Sequence, residues 1–168
     1  MNPGQHKIAG LILAAGASTR MGKPKQLLPL KGTTLLQHIC TEAANSQLDK
    51  VFLILGCHAE EIKKTLHPIL SHKKLKIINN KDYAQGISAS IVAGVSEVAD
   101  VFDHVMILLA DMPHIDATLI NLLLQRYLNS HLPLAAVRFK SKRSHPVAFS
   151  RSLYPELLKL QGDVGARS

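Results

Sequence analysis

Apolar residues along this chain follow two alternating patterns. Continuous apolar runs, of the kind found in strands buried on both faces of a parallel sheet, alternate with segments in which apolar residues recur at helical spacing. The runs predict strands over residues 8–14, 51–55, 75–78 and 104–109. The first helix begins after Thr33 or Thr34, either of which can cap it through its hydroxyl.

The remaining elements are bounded by turn and capping residues. Pro68 stops a short helix, and Asp116 or Thr118 starts a longer one. Helices are predicted over residues 59–66, 116–129 and 153–160, and a further helix begins among the small residues of 83–94. Strands are predicted over 134–139 and 146–149, on either side of a basic turn at 140–143. The alternation predicts an α/β fold, a three-layer α/β/α sandwich with a mostly parallel central sheet.

Length and composition indicate one globular domain over residues 1–168. The 168 residues fall in the size range of a single domain, and 46% hydrophobic with 19% charged residues is typical of a soluble protein. The apolar runs fall short of the roughly 20 residues needed to span a bilayer, so we expect no membrane insertion. Cys40 and Cys57 lack C-x-x-C spacing, which favours a reducing cytoplasm over a metal site.

The formal charge of +8 raises the question of a nucleic-acid partner. Aromatic residues make up only 4%, and the sequence has no zinc-finger or ribonucleoprotein motif. The nine histidines are scattered without an H-E-x-x-H pair, so zinc is not indicated. A small anionic substrate accounts for the charge at least as well, and we expect no nucleic-acid partner.

A basic loop with glycines follows the first strand. It contains Gly16, Arg20, Gly22, Lys23 and Lys25. Glycine lets the backbone approach a ligand closely, and three cations within six residues repel one another unless an anion or solvent lies between them. The pattern favours a polyphosphate ligand; the alternative is an ordinary strand-to-helix turn with solvated charges.

Two familiar phosphate loops do not fit this segment. A Walker A loop requires G-x-x-x-x-G-K and then Ser or Thr, but Gly16 and Gly22 are one residue too far apart and Pro24 stands where the hydroxyl belongs. The dinucleotide fingerprint G-x-G-x-x-G is also absent. Neither a P-loop nor a nicotinamide cofactor is therefore indicated.

The segment from Leu13 to Pro29, L-A-A-G-x-S-x-R-M-G-x-P-K-x-L-L-P, resembles the signature of MobA-like nucleotidyltransferases. The resemblance covers essentially the whole chain, through residues 83–94, 109–113, 145–147 and 162–167, and is strongest to molybdenum cofactor cytidylyltransferases. It implies a nucleotide-diphospho-sugar transferase-like fold. It also implies transfer of a nucleoside monophosphate from a triphosphate to an acceptor phosphate, with release of pyrophosphate.

The resemblance further implies a nucleotide site at the basic loop. Backbone groups of the loop would contact the nucleotide, and the catalytic residues Arg20 and Lys25 would neutralise its triphosphate. Gly86 and Ser90 would contact the base or the ribose, with plain helix capping as the alternative. The implied nucleotide-binding residues are Ala14, Ala15, Gly16, Ala17, Arg20, Lys25, Gly86 and Ser90.

Two further residues receive roles from the same resemblance. Asp111 is the implied catalytic metal ligand for Mg²⁺, which prefers carboxylate and phosphate oxygens; the alternative is a turn residue beside Pro113. His145 lies in a segment near the acceptor pocket of the family and would bind the acceptor; a plain strand-edge histidine is the alternative.

The expected reaction moves CMP from CTP to the phosphate of molybdopterin. In the family an L-A-A-G opening accompanies cytidine transfer, and Ala15 is the second alanine of that opening, the position that bears on the choice of base. The alternatives are GTP as donor, a sugar or polyol phosphate as acceptor, or a non-catalytic nucleotide-binding partner of a molybdoenzyme. A molybdoenzyme or its chaperone is a further expected partner.

The end of the chain bears on the metal site. Relatives continue beyond the G-D-x-G-A-R segment through another helix and strand to an aspartate that completes the metal site, whereas this sequence ends at Ser168. We therefore expect a single domain without that helix and strand. Asp163 is a carboxylate that could substitute for the missing one.

Overall fold

Eight strands and six α-helices lie in the described part of the chain, which comprises residues 6–16, 24–163 and 165 of a computed structural model. The strands are β1 Ile8–Ala14, β2 Pro29–Leu30, β3 Thr33–Thr34, β4 Lys50–Leu55, β5 Leu75–Asn79, β6 His104–Leu109, β7 Leu134–Phe139 and β8 Lys142–Ser150. The helices are α1 Leu35–Asn45, α2 Ala59–Thr65, α3 His67–Leu70, α4 Ile87–Val98, α5 Ala117–Ser130 and α6 Tyr154–Leu157. Short 3-10 helices cover Lys25–Leu27, Tyr83–Gln85 and Arg151–Leu153.

Six of the strands form one sheet in the order β5-β4-β1-β6-β8-β7. The first four pair in parallel, whereas β8 runs antiparallel to both of its neighbours. Lys140 and Ser141 join β7 to β8 with positive φ at both residues (45° and 63°), the backbone geometry of tight turns between antiparallel strands. The predicted mostly parallel sheet is confirmed.

Helices cover both faces of the sheet, because successive side chains of a buried strand point to opposite faces. In β1, Ile8 and Ile12 join a core that includes residues of α1 and α5. Leu11 and Leu13 join a second core that includes residues of α4 and α6. The predicted three-layer arrangement is confirmed, and it leaves the ends of the central strands as the place where a ligand can reach the sheet.

Two helix starts have the predicted side-chain caps. The hydroxyl oxygen of Thr34 accepts a hydrogen bond from the backbone N–H of Gln37 at 3.2 Å, and so caps α1. The carboxylate of Asp116 accepts from the N–H of Leu119 at 2.8 Å, and so caps α5. Within the described ranges, every helix is too short or too polar to cross a membrane.

Two predicted boundaries are wrong, and one predicted helix stop has another cause, since α2 ends at Thr65, one residue before the predicted end. Pro68 does not end a helix but lies in the first turn of α3, where the missing N–H of proline costs no hydrogen bond. The helix predicted over 153–160 is reduced to α6, because a 3-10 helix precedes it and only Tyr154 and Leu157 of α6 are buried. The strand predicted over 146–149 begins already at Lys142, because its polar residues pair with β7.

Candidate functional site

A cavity of about 640 Å³ opens at the carboxyl ends of β1 and β6. These strands are parallel neighbours with Leu13 opposite Leu109, so the residues that follow them emerge side by side. Ala15 and Gly16 after β1, and Asp111 after β6, line the cavity. The carboxyl edge of an open α/β sheet is where such folds bind their ligands.

The 3-10 helix Lys25–Leu27 supplies the next part of the wall. Lys25 is exposed and lines the cavity. Gln26, only 5% exposed, lines it as well, and its side-chain amide donates to the carbonyl oxygens of Ala14 at 3.1 Å and Gly16 at 3.2 Å. Gln26 therefore fastens the 3-10 helix that carries Lys25 to the end of β1.

The start of α4 forms the opposite wall. Gly86, with φ of 101°, lies at its N-terminus and lines the cavity. A Cβ atom at Gly86 would lie 2.5 Å from the carbonyl oxygen of Gly162, which accepts a hydrogen bond from the N–H of Ser88 at 3.2 Å. Both the positive φ and this close approach require glycine. The backbone at Gly162 therefore packs directly against the start of α4.

The charged side chains at the cavity have both signs. In the described part of the chain they are the ammonium of Lys25 and the carboxylates of Asp111 and Asp163. A polyphosphate is attracted by the first and repelled by the other two unless a cation lies between them. The wall is therefore suited to a polyphosphate that arrives with a divalent cation.

A buried polar pair lies beneath the α4 wall. Ser90, 4% exposed, lines the cavity, and Asn80, 5% exposed, follows β5. The side-chain amide of Asn80 donates to the hydroxyl oxygen of Ser90 at 3.1 Å. The backbone N–H of Asn80 donates to the carbonyl oxygen of Leu55 at 2.7 Å, which ties the pair to the end of β4.

Six of the residues that the sequence assigns to the site lie together at this cavity. They are Ala15, Gly16, Lys25, Gly86, Ser90 and Asp111. Ala14 is buried in β1 and is not among the lining residues; its carbonyl oxygen accepts the hydrogen bond from Gln26. Ala17 and Arg20 fall outside the described residues. The roles assigned to all of these residues stay predictions.

His145, the expected acceptor-binding residue, is not part of the cavity wall. It is 3% exposed within β8. In the antiparallel pairing of β6 and β8, Val147 lies opposite Ile107, so His145 lies two residues closer to the carboxyl end of β6. It is therefore inside the sheet, near the edge at which the cavity opens. Its role in acceptor binding, and the alternative of a plain strand histidine, stay predictions.

Sequence reasoning missed Gln26, Asn80 and Tyr83 as parts of the site. Gln26 carries a usable signal, because it is a polar residue just before the apolar pair Leu27 and Leu28. Asn80 and Tyr83 carry none. Asn80 matters through its contacts with β4 and α4, and Tyr83 through its place at the cavity, and sequence spacing reveals neither.

The fold and the cavity are those of an α/β protein with a ligand site at the carboxyl edge of its sheet. Residues 10–168 match the family described as MobA-like NTP transferase domain. The chain therefore belongs to the MobA-like NTP transferase family, as the resemblance predicted.

Three characterised relatives show the breadth of the family. The chain is 30% identical over 173 residues to nicotine blue oxidoreductase of Paenarthrobacter nicotinovorans, covering 95% of this chain and 79% of that protein. It is 32% identical over 164 residues to the purine catabolism protein PucB of Bacillus subtilis, covering 95% and 78%. It is 32% identical over 103 residues to the molybdenum cofactor cytidylyltransferase of Escherichia coli, covering 61% and 50%.

Solved structures agree on the fold. The chain superposes on Rv0371c of Mycobacterium tuberculosis with a TM-score of 0.79 and 26% identity, covering 94% of this chain and 78% of that one. The manganese complex of Rv0371c gives a TM-score of 0.75 with 25% identity over the same shares. The fold is that of the nucleotide-diphospho-sugar transferases, which confirms the predicted fold class.

Proposed function

We propose that this protein transfers CMP from CTP to the phosphate of molybdopterin and releases pyrophosphate. The observation that carries the proposal is one cavity at the carboxyl edge of the sheet that is lined by Gly16, Lys25, Asp111 and the start of α4. Membership of the MobA-like NTP transferase family and the likeness to the molybdenum cofactor cytidylyltransferase of Escherichia coli support it.

The reaction requires that the acceptor phosphate and the α-phosphorus be positioned in line and that the charge of the triphosphate be stabilised. An oxygen of the acceptor phosphate forms a bond to the α-phosphorus of CTP, and the bond from that phosphorus to the bridging oxygen of the leaving pyrophosphate breaks. Lys25 neutralises charge on the triphosphate as a mobile point charge. The backbone after β1 and the start of α4 hold the nucleoside, so that the α-phosphorus faces the acceptor in line.

Asp111 is the residue we propose to hold Mg²⁺. The described residues contain no cluster of three or more histidine, cysteine, aspartate or glutamate side chains that could hold a metal ion. Mg²⁺ usually takes one or two carboxylates together with substrate phosphates and keeps several waters, so the proposal requires no such cluster. When bound, such a cation withdraws charge from the phosphate oxygens. The relative Rv0371c, which crystallised with manganese, supports a divalent cation.

The choice of CTP rests on Ala15, which lines the cavity directly after β1. The relatives leave the identity of the acceptor open, because they also include an oxidoreductase and a purine catabolism protein. GTP as donor, a sugar or polyol phosphate as acceptor, and nucleotide binding without turnover are therefore the competing functions.

Pyrophosphate release from the purified protein tests the proposal. Release is expected only when CTP, Mg²⁺ and molybdopterin are all present, and a chelator should abolish it. Equal rates with GTP would overturn the choice of base, and release with a polyol phosphate instead of molybdopterin would overturn the acceptor. Calorimetric binding of CTP without release under any acceptor would favour the non-catalytic partner.

A further inference from the structure

We propose that Asn80 is a positioning residue that makes the hydroxyl of Ser90 a hydrogen-bond donor toward the cavity. The site then selects a ligand whose atom facing Ser90 accepts a hydrogen bond. The inference rests on the proposed function in so far as the ligand is a nucleotide, and it adds a basis for selecting among nucleotides.

The orientation of the Asn80 side chain is fixed from one side. Its amide oxygen accepts a hydrogen bond from the backbone N–H of Asp82 at 3.0 Å. An N–H group only donates, so the oxygen of the amide must face Asp82 and the NH₂ group must face the other way. Burial of Asn80, at 5% exposure, holds this arrangement away from competing water.

The amide NH₂ of Asn80 meets the hydroxyl of Ser90. It donates to the Ser90 oxygen at 3.1 Å and occupies one of the two lone pairs of that oxygen. Among the described residues, the hydrogen bond from Asn80 is the only one that the structure gives the Ser90 side chain. The hydroxyl proton is therefore left to donate, and Ser90 lines the cavity.

A donor with this placement discriminates between ligand atoms. The Ser90 residue is only 4% exposed, so a donor left without an acceptor there carries a desolvation cost. A carbonyl oxygen or a ring nitrogen with a lone pair, as on the edge of a pyrimidine, removes that cost. An N–H group at the same position would face another donor and would be rejected.

The isosteric substitution Asn80→Asp reverses the direction of the hydrogen bond between residue 80 and Ser90. At about pH 8.5 the introduced carboxyl is ionised and accepts from both the Asp82 N–H and the Ser90 hydroxyl. The Ser90 oxygen then presents lone pairs to the cavity. We expect Asn80→Asp to weaken CTP binding by about tenfold or more, as measured by calorimetry with Mg²⁺ and without acceptor.

A double-mutant cycle separates orientation from charge and from structural damage. In a Ser90→Ala background the introduced charge remains but no hydroxyl is left to reorient, so Asn80→Asp should reduce the affinity for CTP at least about fivefold less than it does in the wild type. An equal loss in both backgrounds, or no loss in either, would overturn the inference. Asn80→Ala removes the donor without adding a charge and should cause a smaller loss, again only when Ser90 is present.

The measurement is independent of turnover. If the wild-type protein binds CTP and releases no pyrophosphate with any acceptor, the proposed function fails and the cycle still decides the role of Asn80. If Asn80→Asp and Ser90→Ala bind CTP as the wild type does while turnover is normal, the proposed function stands and the role of Asn80 fails. Thermal unfolding of each variant verifies that it is folded.

Discussion

The carbonyl oxygen of Gly162 lies so near Gly86 that a Cβ atom at Gly86 would approach it to 2.5 Å. The same carbonyl accepts a hydrogen bond from Ser88, in the first turn of α4. A backbone hydrogen bond thus joins the start of α4 to Gly162, and the next residue, Asp163, lines the cavity beside this junction.

The substitution Gly86→Ala should disrupt this junction. The new methyl group would meet the Gly162 carbonyl, and alanine is strained at a φ of 101°. We expect a loss of about 1–3 kcal/mol in the free energy of unfolding, together with weaker CTP binding. Denaturant unfolding and calorimetry measure the two effects. Gly165→Ala is the control, because among the described residues a Cβ there meets only Ile87, at 4.0 Å; equal effects of both substitutions would contradict the junction.

The charged side chains of the cavity should matter for rate and not for stability. Lys25→Ala and Asp111→Ala should each lower pyrophosphate release by about 100-fold or more, as loss of a preorganised charged contact does. Both residues are exposed, so thermal unfolding should be unchanged. Lys64→Ala and Asp100→Ala remove exposed charges elsewhere and serve as controls. Full activity of both site variants would mean that catalysis takes place elsewhere.

Removing the side-chain amide of Gln26 should affect both stability and binding. Gln26→Leu keeps the volume but deprives the carbonyl oxygens of Ala14 and Gly16 of a donor, and the bond to Ala14 is buried. The expected cost is about 1–3 kcal/mol in the free energy of unfolding, the range for buried polar groups left unpaired. We also expect a higher KM for CTP, because Lys25 is no longer held against β1. The exposed Gln125→Leu should change neither quantity; a Gln26 variant that behaves like it would refute the role.

The pH dependence of stability should contain a contribution from His104. Burial lowers the pKa of His104 from 6.5, and the nearby His6 adds to the shift. The unfolded chain therefore binds this proton at a higher pH than the folded chain does. The stabilisation is complete above the unfolded pKa, decreases as the pH falls below it, and is lost once the pH has fallen through the lower pKa of the folded state.

Between about pH 7.5 and about pH 5.5 the free energy of unfolding should therefore decrease, in a window that lies above the ordinary pKa of aspartate and glutamate. Urea unfolding at several pH values measures it. His104→Asn should reduce the slope, whereas the exposed His114→Asn should leave it unchanged. A slope that His104→Asn does not alter would assign the dependence to other groups.

The fold was predictable because its signals are local. The apolar run of β1 and the caps at Thr34 and Asp116 lie in short stretches of sequence, and the structure has all three as predicted. The length of α6 was not predictable, because it depends on how much of that segment reaches the core.

Part of the site was likewise predictable from the sequence, and part was not. Gly16, Lys25 and Asp111 belong to recognisable local segments, and the structure brings them to one cavity. The contacts of Gln26 with Gly16 and of Asn80 with Ser90 span ten residues each and join different elements. Such contacts follow from three-dimensional packing, so hydrophobic periodicity and spacing do not reveal them.

The reversed direction of β8 has a consequence for how fast an anion reaches this protein. Because β7 ends and β8 begins at the carboxyl edge of the sheet, the exposed residues Lys140, Lys142 and Arg143 lie at the same edge as the cavity. A strand parallel to β6 would have carried these cations to the far edge. Their field attracts a polyphosphate before contact, so the association rate should fall as salt screens it.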